Sequence, residues 1–164
     1  MLLYDVNHDG SLDISEIMKS PTLRTAATHI DADKNGTITA TEIADYIRSW
    51  RRSNTILMAA SPRFLFKGAP LVGATVTLEP APFLGPDYPN ASAVTDSTGK
   101  ARFVGSDRKY PGVYVGLYQV RVSKMKDGKE LIPARYNSAT ELALEVTQPS
   151  WADATFAGFF LEAE

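Results

Sequence analysis

The hydrophobic period of the chain changes once. Up to about residue 52, apolar side chains recur at the spacing of a helix face. Leu23, Ala27 and Ile30 form one stripe; Ile43, Ile47 and Trp50, with Tyr46 beside them, form another. The first stripe predicts a helix opened by Ser20-Pro21, because Ser caps a helix and Pro suits its first position. The second predicts a helix from Ala40 to about Arg52. A shorter helix is expected from Ile14 to Lys19. After Thr55 the period becomes two. Ala74, Val76 and Leu78 alternate with Thr75 and Thr77, Tyr118, Val120 and Val122 alternate with Gln119 and Arg121, and Leu142, Leu144 and Val146 share a face. Arg63 to Phe66, after Pro62, is a further strand. Ala91 to Thr95 is expected to pair with Lys100 to Val104 across Asp96-Ser97-Thr98-Gly99. Lys67-Gly68-Ala69-Pro70 and Lys126-Asp127-Gly128-Lys129 are turns. Thr155 to Leu161 is apolar on both faces and closes the chain. The predicted class is α+β in two domains: residues 1–54 helical, residues 55–164 an antiparallel β-sandwich, with Arg51-Arg52-Ser53-Asn54 at the boundary.

Polar positions carry the chemistry of the helical part. Asp5 to Glu16 and Asp31 to Glu42 fit one twelve-position template. Oxygen-bearing side chains stand at positions one, three and five, Gly at six, Leu or Ile at eight and Glu at twelve. A hard cation such as calcium takes about 6–8 oxygens at roughly 2.3–2.6 Å. Alternate residues of a tight loop point inward, so Asp5, Asn7 and Asp9 can supply three oxygens. Gly10 permits the sharp turn, the Ser11 carbonyl faces the ion, Asp13 binds directly or through water, and Glu16 closes the site. In the second loop the same roles fall to Asp31, Asp33, Asn35, the Thr37 carbonyl, Thr39 and Glu42. Two calcium sites are therefore expected. Leu12 and Ile38 should pair as a short ribbon joining the loops. His8 and His29 lie outside the template, and no metal role is expected for either.

The first loop offers four acidic ligands and the second three, which favours the first electrostatically; its short entering segment, Met1 to Tyr4, argues the other way. Three readings of this short start stay open: a natural sequence that extends upstream and could carry a signal peptide there, a misassigned start, or a truncated hand that works without its entering helix. Only 14 residues separate Glu16 from Asp31, which disfavours large, sensor-like opening.

Composition narrows the classes. Of the 164 residues, 44% are hydrophobic and 22% charged, a balance that predicts globular folding rather than disorder. Net charge is −2, which makes no electrostatic case for nucleic acid or an anionic membrane. Residues 1–54 hold 8 acidic and 6 basic side chains, so the acidic excess lies in the cation-binding half. The absence of cysteine excludes disulfides and thiolate chemistry. No apolar run approaches a membrane span, and no signal peptide is visible before Asp5.

Residues 5–42 resemble the EF-hand family. Residues of about 60–162 resemble the transthyretin-like or carboxypeptidase-regulatory-like β-sandwich domains of bacterial envelope proteins. The segments that carry this second resemblance are Lys67-Gly68-Ala69-Pro70-Leu71-Val72-Gly73-Ala74-Thr75-Val76, Val94-Thr95-Asp96-Ser97-Thr98-Gly99, Pro111-Gly112, Tyr118 to Lys124, and Ile132 to Asn137. Val113 to Leu117 looks like an insertion. The resemblance implies a spacer, packing or adhesion module, a secreted, periplasmic or cell-envelope location, and a protein partner in an envelope assembly.

It does not imply catalysis. Hydroxyisourate hydrolases and intradiol dioxygenases on related sandwiches need histidines, and residues 55–164 have none. A Lys–Asn crosslink from Lys67 lacks an Asn between Asp153 and Leu161. Glu79, Glu141 and Glu145 are expected to face solvent. Tyr110, Tyr114, Tyr118, Tyr136 and Trp151 form either a recognition patch or core. Two competing readings stay open: a calcium-dependent interaction switch, and a carbohydrate- or peptide-binding sandwich with the loops as scaffold.

Overall fold

The computed structural model describes residues 3–52, 57–86, 88–103, 112–147 and 158–163, the side chains at 51 and 52 excepted. The described residues form a mixed, α+β structure. The first part runs β1 (Ser11–Leu12), α1 (Ile14–Ile17), α2 (Pro21–Ile30), β2 (Ile38–Thr39) and α3 (Ala40–Arg52). Strands follow: β3 (Leu57–Met58), β4 (Arg63–Phe66), β5 (Ala69–Pro70), β6 (Thr75–Pro80), β7 (Ala91–Val94), β8 (Val113–Tyr114), β9 (Gly116–Ser123), β10 (Met125–Lys126), β11 (Lys129–Glu130), β12 (Ala143–Val146) and β13 (Gly158–Leu161). Among the described residues no helix is long and apolar enough to cross a membrane.

The helices begin where the sequence supplies caps. Asp13 opens α1 with a capping box, its carboxylate accepting from Glu16 N–H while the Glu16 side chain returns to Asp13 N–H. Ser20 caps α2, accepting from Leu23 N–H, with Pro21 at the first position. On α2 the buried apolar residues are Leu23, Ala26 and Ile30, so Ala26 lies deeper than the expected Ala27. On α3, Ile43 and Trp50 are buried, with Tyr46 and Ile47 packed beside them. Leu3 and Tyr4 form a turn rather than a helix, and Met1 and Leu2 fall outside the described residues.

A four-stranded antiparallel sheet in the order β12-β9-β6-β7 faces a three-stranded sheet, β13-β4-β5, across a shared core. Phe64 and Leu161 enter it from the smaller sheet. Val76, Leu78, Tyr118, Val120, Val122 and Val146 enter from the larger. The alternation along β6 and β9 places these side chains on one face, as period two requires. Two hairpins turn on residue pairs with positive φ, Lys67-Gly68 (52° and 77°) and Asp127-Gly128 (51° and 76°), the conformation whose twist matches antiparallel strands.

Two expectations are corrected. Ala91–Val94 pairs with β6 and not with the segment after the 96–99 turn. That turn forms, closed by Gly99 N–H on the Asp96 carbonyl, but the chain then crosses to β4. Lys100 bridges Arg63, and the Ala101 and Phe103 amides donate to the Pro62 and Ala60 carbonyls. Burial of Ala101 and Phe103 in the Phe64 core draws the segment away, leaving one bridge from Thr95 to Ala101. Val104 falls outside the described residues. Second, the pairing is not wholly antiparallel, because β13 runs parallel to β4, with Phe159 stacked on Phe64 at 4.9 Å; residues 155–157 of the expected closing strand are not described. Of the aromatic residues left open between patch and core, Tyr118 is fully buried in the core and Tyr114 is exposed; Tyr110 and Trp151 are not described.

Among the described glycines, Gly99 is the one that a side chain should disturb most. Its φ is +78°, and a Cβ there would lie 2.4 Å from the Phe64 carbonyl oxygen. Left-handed backbone costs a non-glycine residue about 1–3 kcal/mol, and the overlap adds to that. Gly99→Ala is expected to reduce the unfolding free energy by at least that much, read as a lowered urea midpoint at unchanged slope; an unchanged midpoint would contradict the close approach.

Candidate metal centre

The two twelve-residue loops are built on one hydrogen-bond scheme. The glycine at position six donates its N–H to the aspartate at position one: Gly10 to Asp5 at 3.1 Å, Gly36 to Asp31 at 3.0 Å. Position five donates back to position three, Asp9 N–H to Asn7 at 3.0 Å and Asn35 N–H to Asp33 at 3.1 Å. The position-five side chain in turn accepts from the amide and hydroxyl of position seven, Ser11 or Thr37. The terminal glutamate reaches over the loop to the N–H of position two: Val6 to Glu16 at 2.7 Å, Ala32 to Glu42 at 3.1 Å. Its other oxygen takes the N–H of position nine, Asp13 or Thr39. Position four is left-handed in both, His8 and Lys34 each at φ 60°, and position six more so, Gly10 at 89° and Gly36 at 85°. His8 is exposed on the outside of its loop.

The loops are tied together by the antiparallel pair of β1 and β2, with Leu12 opposite Ile38 and Ser11 opposite Thr39. Leu12 and Ile38 are fully buried under α2 and α3. An apolar residue at position eight of each loop therefore fixes the spacing of the two oxygen clusters.

The loops differ in how their oxygens are disposed. In the second, carboxylate oxygens of Asp31, Asp33 and Glu42 all lie within 4.8 Å of one another. The acidic side chains of the first loop do not gather in this way. Asp9 is turned onto Ser11, Asp13 onto Ser15 and the start of α1, and Glu16 onto three backbone amides. Asp5 is the exception: it is 6% exposed, and its Oδ1 is buried with no hydrogen-bond partner. A buried carboxylate oxygen without a donor is costly, and a cation is one thing that satisfies it.

Hydrogen bonds favour the ionised forms. The Thr39 amide holds the Glu42 carboxyl below the usual carboxylate range, against the cost of partial burial, with help from the Thr39 hydroxyl and the Ala32 amide. The Ser11 amide and hydroxyl do the same for Asp9, and the Ser15 hydroxyl and Glu16 amide for Asp13. A lowered carboxyl pKa stabilises the folded loop above the ordinary carboxylate range, and acid removes that stabilisation as pH falls through the lowered value.

Every donor in these loops is oxygen. The side chains of Asp5, Asn7, Asp9, Asp13 and Glu16 form one set and those of Asp31, Asp33, Asn35, Thr39 and Glu42 the other, with Ser11 and Thr37 placed by the template to offer their carbonyls. Hard oxygens from short side chains and backbone suit calcium or magnesium rather than a thiophilic metal. An open cleft of about 630 Å³ beside Leu131, Pro133 and Ser138 also contains a carboxylate, Glu130. That group is already engaged by the Lys124 and Ile132 amides, the Ser123 hydroxyl and the Asn137 side chain.

Of the three carboxylates expected in solvent, Glu141 is exposed, Glu79 is partly exposed and Glu145 is covered. Glu79 pairs with Arg121 at 2.7 Å across β6 and β9. Glu145, on β12, is only 13% exposed and accepts from the Tyr46 hydroxyl and the His29 ring. The cause is the placement of the helices, which lie on the face of the four-stranded sheet away from the shared core. Leu117 of β9, with Ala81 and Val115, belongs to the helical core. Alternation along Ala143–Val146 did place Glu145 opposite Leu144 and Val146, but gave no sign that a second layer covers that face.

No family model and no curated protein matches the chain. Among solved structures, a 9R-lipoxygenase from Cyanothece PCC8801 is similar at 12% identity with a TM-score of 0.31, over 91% of this chain and 23% of that one. This chain thus spans about a quarter of that protein's length, and a likeness at this level carries no argument about fold or activity.

Proposed function

We propose that the chain is a calcium-binding modular protein. Its paired loops, of EF-hand type, hold two calcium ions that stiffen the helical part. The β-rich part, read as a transthyretin-like sandwich, carries that unit in an envelope or secreted assembly and docks a protein partner. No catalytic role is proposed.

The observation that carries this reading is the convergence of the Asp31, Asp33 and Glu42 carboxylates within 4.8 Å. At that separation each pair of like charges repels by on the order of 1 kcal/mol even where water screens it fully. A divalent cation turns the repulsion into attraction. The partnerless Asp5 Oδ1 supports the first site, and the shared hydrogen-bond scheme supports treating the two loops as one device used twice. The ions organise structure; they supply no reaction step.

Isothermal calorimetry on the full chain provides the test. Two calcium ions per chain are expected, with dissociation constants of roughly 10⁻⁶ to 10⁻³ M, the span that covers weaker sensors and extracellular modules. Absence of calcium binding at millimolar concentration would end the proposal.

A further inference from the structure

We infer that Glu145, on the sheet, is a positioning residue for the second cation loop, an inference that rests on the calcium reading above. The grounds are topological as well as geometric. Loop two is the connection between α2 and α3. Asp31, its first ligand, is the C-cap of α2, and Glu42, its last, lies in the first turn of α3. The geometry of the oxygen cluster therefore depends on how these two helices are held relative to each other. One residue from each reaches the same carboxylate. His29, two positions before Asp31, lies with Nδ1 2.9 Å from Glu145 Oε2. Tyr46, one turn after Glu42, donates its hydroxyl to Glu145 Oε1.

The clamp is built into a packed interface. Glu145 shares the outer face of the four-stranded sheet with Leu117, which is fully buried against the helices. Tyr46 packs edge-on against Trp50 at 4.8 Å, which fixes the direction of its ring. Farther back on α2, Arg24 donates to the Glu141 carbonyl at 3.0 Å, holding the other end of that helix on the same strand region. His29 is more than half exposed, so the Tyr46 bond is the stronger grip. Among the described residues Glu145 makes no hydrogen bond to the elements flanking loop one, whose α1 is a single turn. The structure thus assigns the sheet a selective hold on the second site.

Amide NMR of the full chain during a calcium titration separates the sites. Gly10 and Gly36 each donate to the position-one aspartate of one loop, so each amide reports its own ion. Glu145→Ala is expected to weaken calcium binding read at Gly36 by roughly tenfold, the scale of coupling within one contact network, with a much smaller change at Gly10. Glu145→Gln, whose amide oxygen still accepts from Tyr46, should recover most of the loss. Tyr46→Phe should weaken the Gly36 site alone, and combining it with Glu145→Ala should add little. Tyr46→Phe carries the same readout if Glu145→Ala does not fold. Unchanged affinity at Gly36 in a folded variant, or equal weakening at both glycines, overturns the inference while leaving calcium binding intact. A wild-type chain in which neither amide responds to calcium overturns the functional proposal, and this inference falls with it.

Discussion

Glu42→Gln is expected to remove the ion from the second loop, with affinity there falling by about 100-fold or more and calorimetric stoichiometry dropping from two ions to one at working concentrations. The magnitude follows from the loss of one of three carboxylates and of the bidentate closing ligand, since ligand charge sets affinity across this class of site. The substitution is informative because it separates the ligand role proposed for Glu42 from the capping role it has in the structure. One oxygen accepts from the Thr39 amide, which is the work of a helix cap, and the other from the Ala32 amide across the loop. Gln performs that capping work nearly as well as Glu. The variant should therefore keep its helical circular dichroism while losing the cation. If two ions still bind, Glu42 is a cap and nothing more, and the three converging carboxylates need another explanation.

The second large effect is expected at Leu117→Ala. Leu117 is fully buried, yet it points away from the core that joins the two sheets and into the one beneath the helices. Truncating a fully buried leucine costs about 2–5 kcal/mol, the spread reflecting how far the site collapses. Because the contact joins the sheet to the helices, the loss should appear in the helical signal as well as in the β-sheet signal. Urea unfolding followed by far-ultraviolet circular dichroism and by amide exchange checks it. A variant whose helices unfold at the wild-type midpoint would mean that the two parts do not support each other through this residue.

These two positions show which features were legible. The place of Glu42 at the end of its loop could be picked out from spacing, because the loop is a local object: twelve consecutive residues supply its oxygens, its turn and its closing carboxylate. The same holds for Leu12 and Ile38, whose pairing follows from their equivalent loop positions. It holds for the Ser20-Pro21 helix start and for the inward faces of β6 and β9. Leu117 lay within a segment that looked like an insertion, and Glu145 looked like one more solvent-facing carboxylate. Neither residue is unusual in type or spacing. Both are defined by what lies over them, and that is α2 and α3, 93 to 124 positions earlier for Glu145 and 65 to 96 for Leu117.

Strand partnership divides in the same way. Period-two alternation named the side chains that share a face, since it is a property of the strand itself. It did not name the neighbour. Ala91–Val94 lies beside β6 because Ala101 and Phe103 were drawn across to the Phe64 core, and β13 runs parallel to β4, the direction alternation leaves open. Along β9, Leu117 and Tyr118 are both buried while Gln119, Arg121 and Ser123 stay partly exposed. The helices cover only the first part of the strand's outer face.

The amino-acid sequence by itself determined the two oxygen-lined loops, their coupling through positions eight, the helix starts and the inward sides of the strands. Each of these is set by neighbours within a dozen residues, where backbone geometry and side-chain chemistry act directly. Only the tertiary structure decided that the helices rest on the outer face of the sheet, that a carboxylate from β12 is held by both helices flanking the second loop, and which strands are neighbours. Those outcomes depend on burying apolar surface between segments far apart in the chain, and such burial has no direction along the sequence for a local pattern to record.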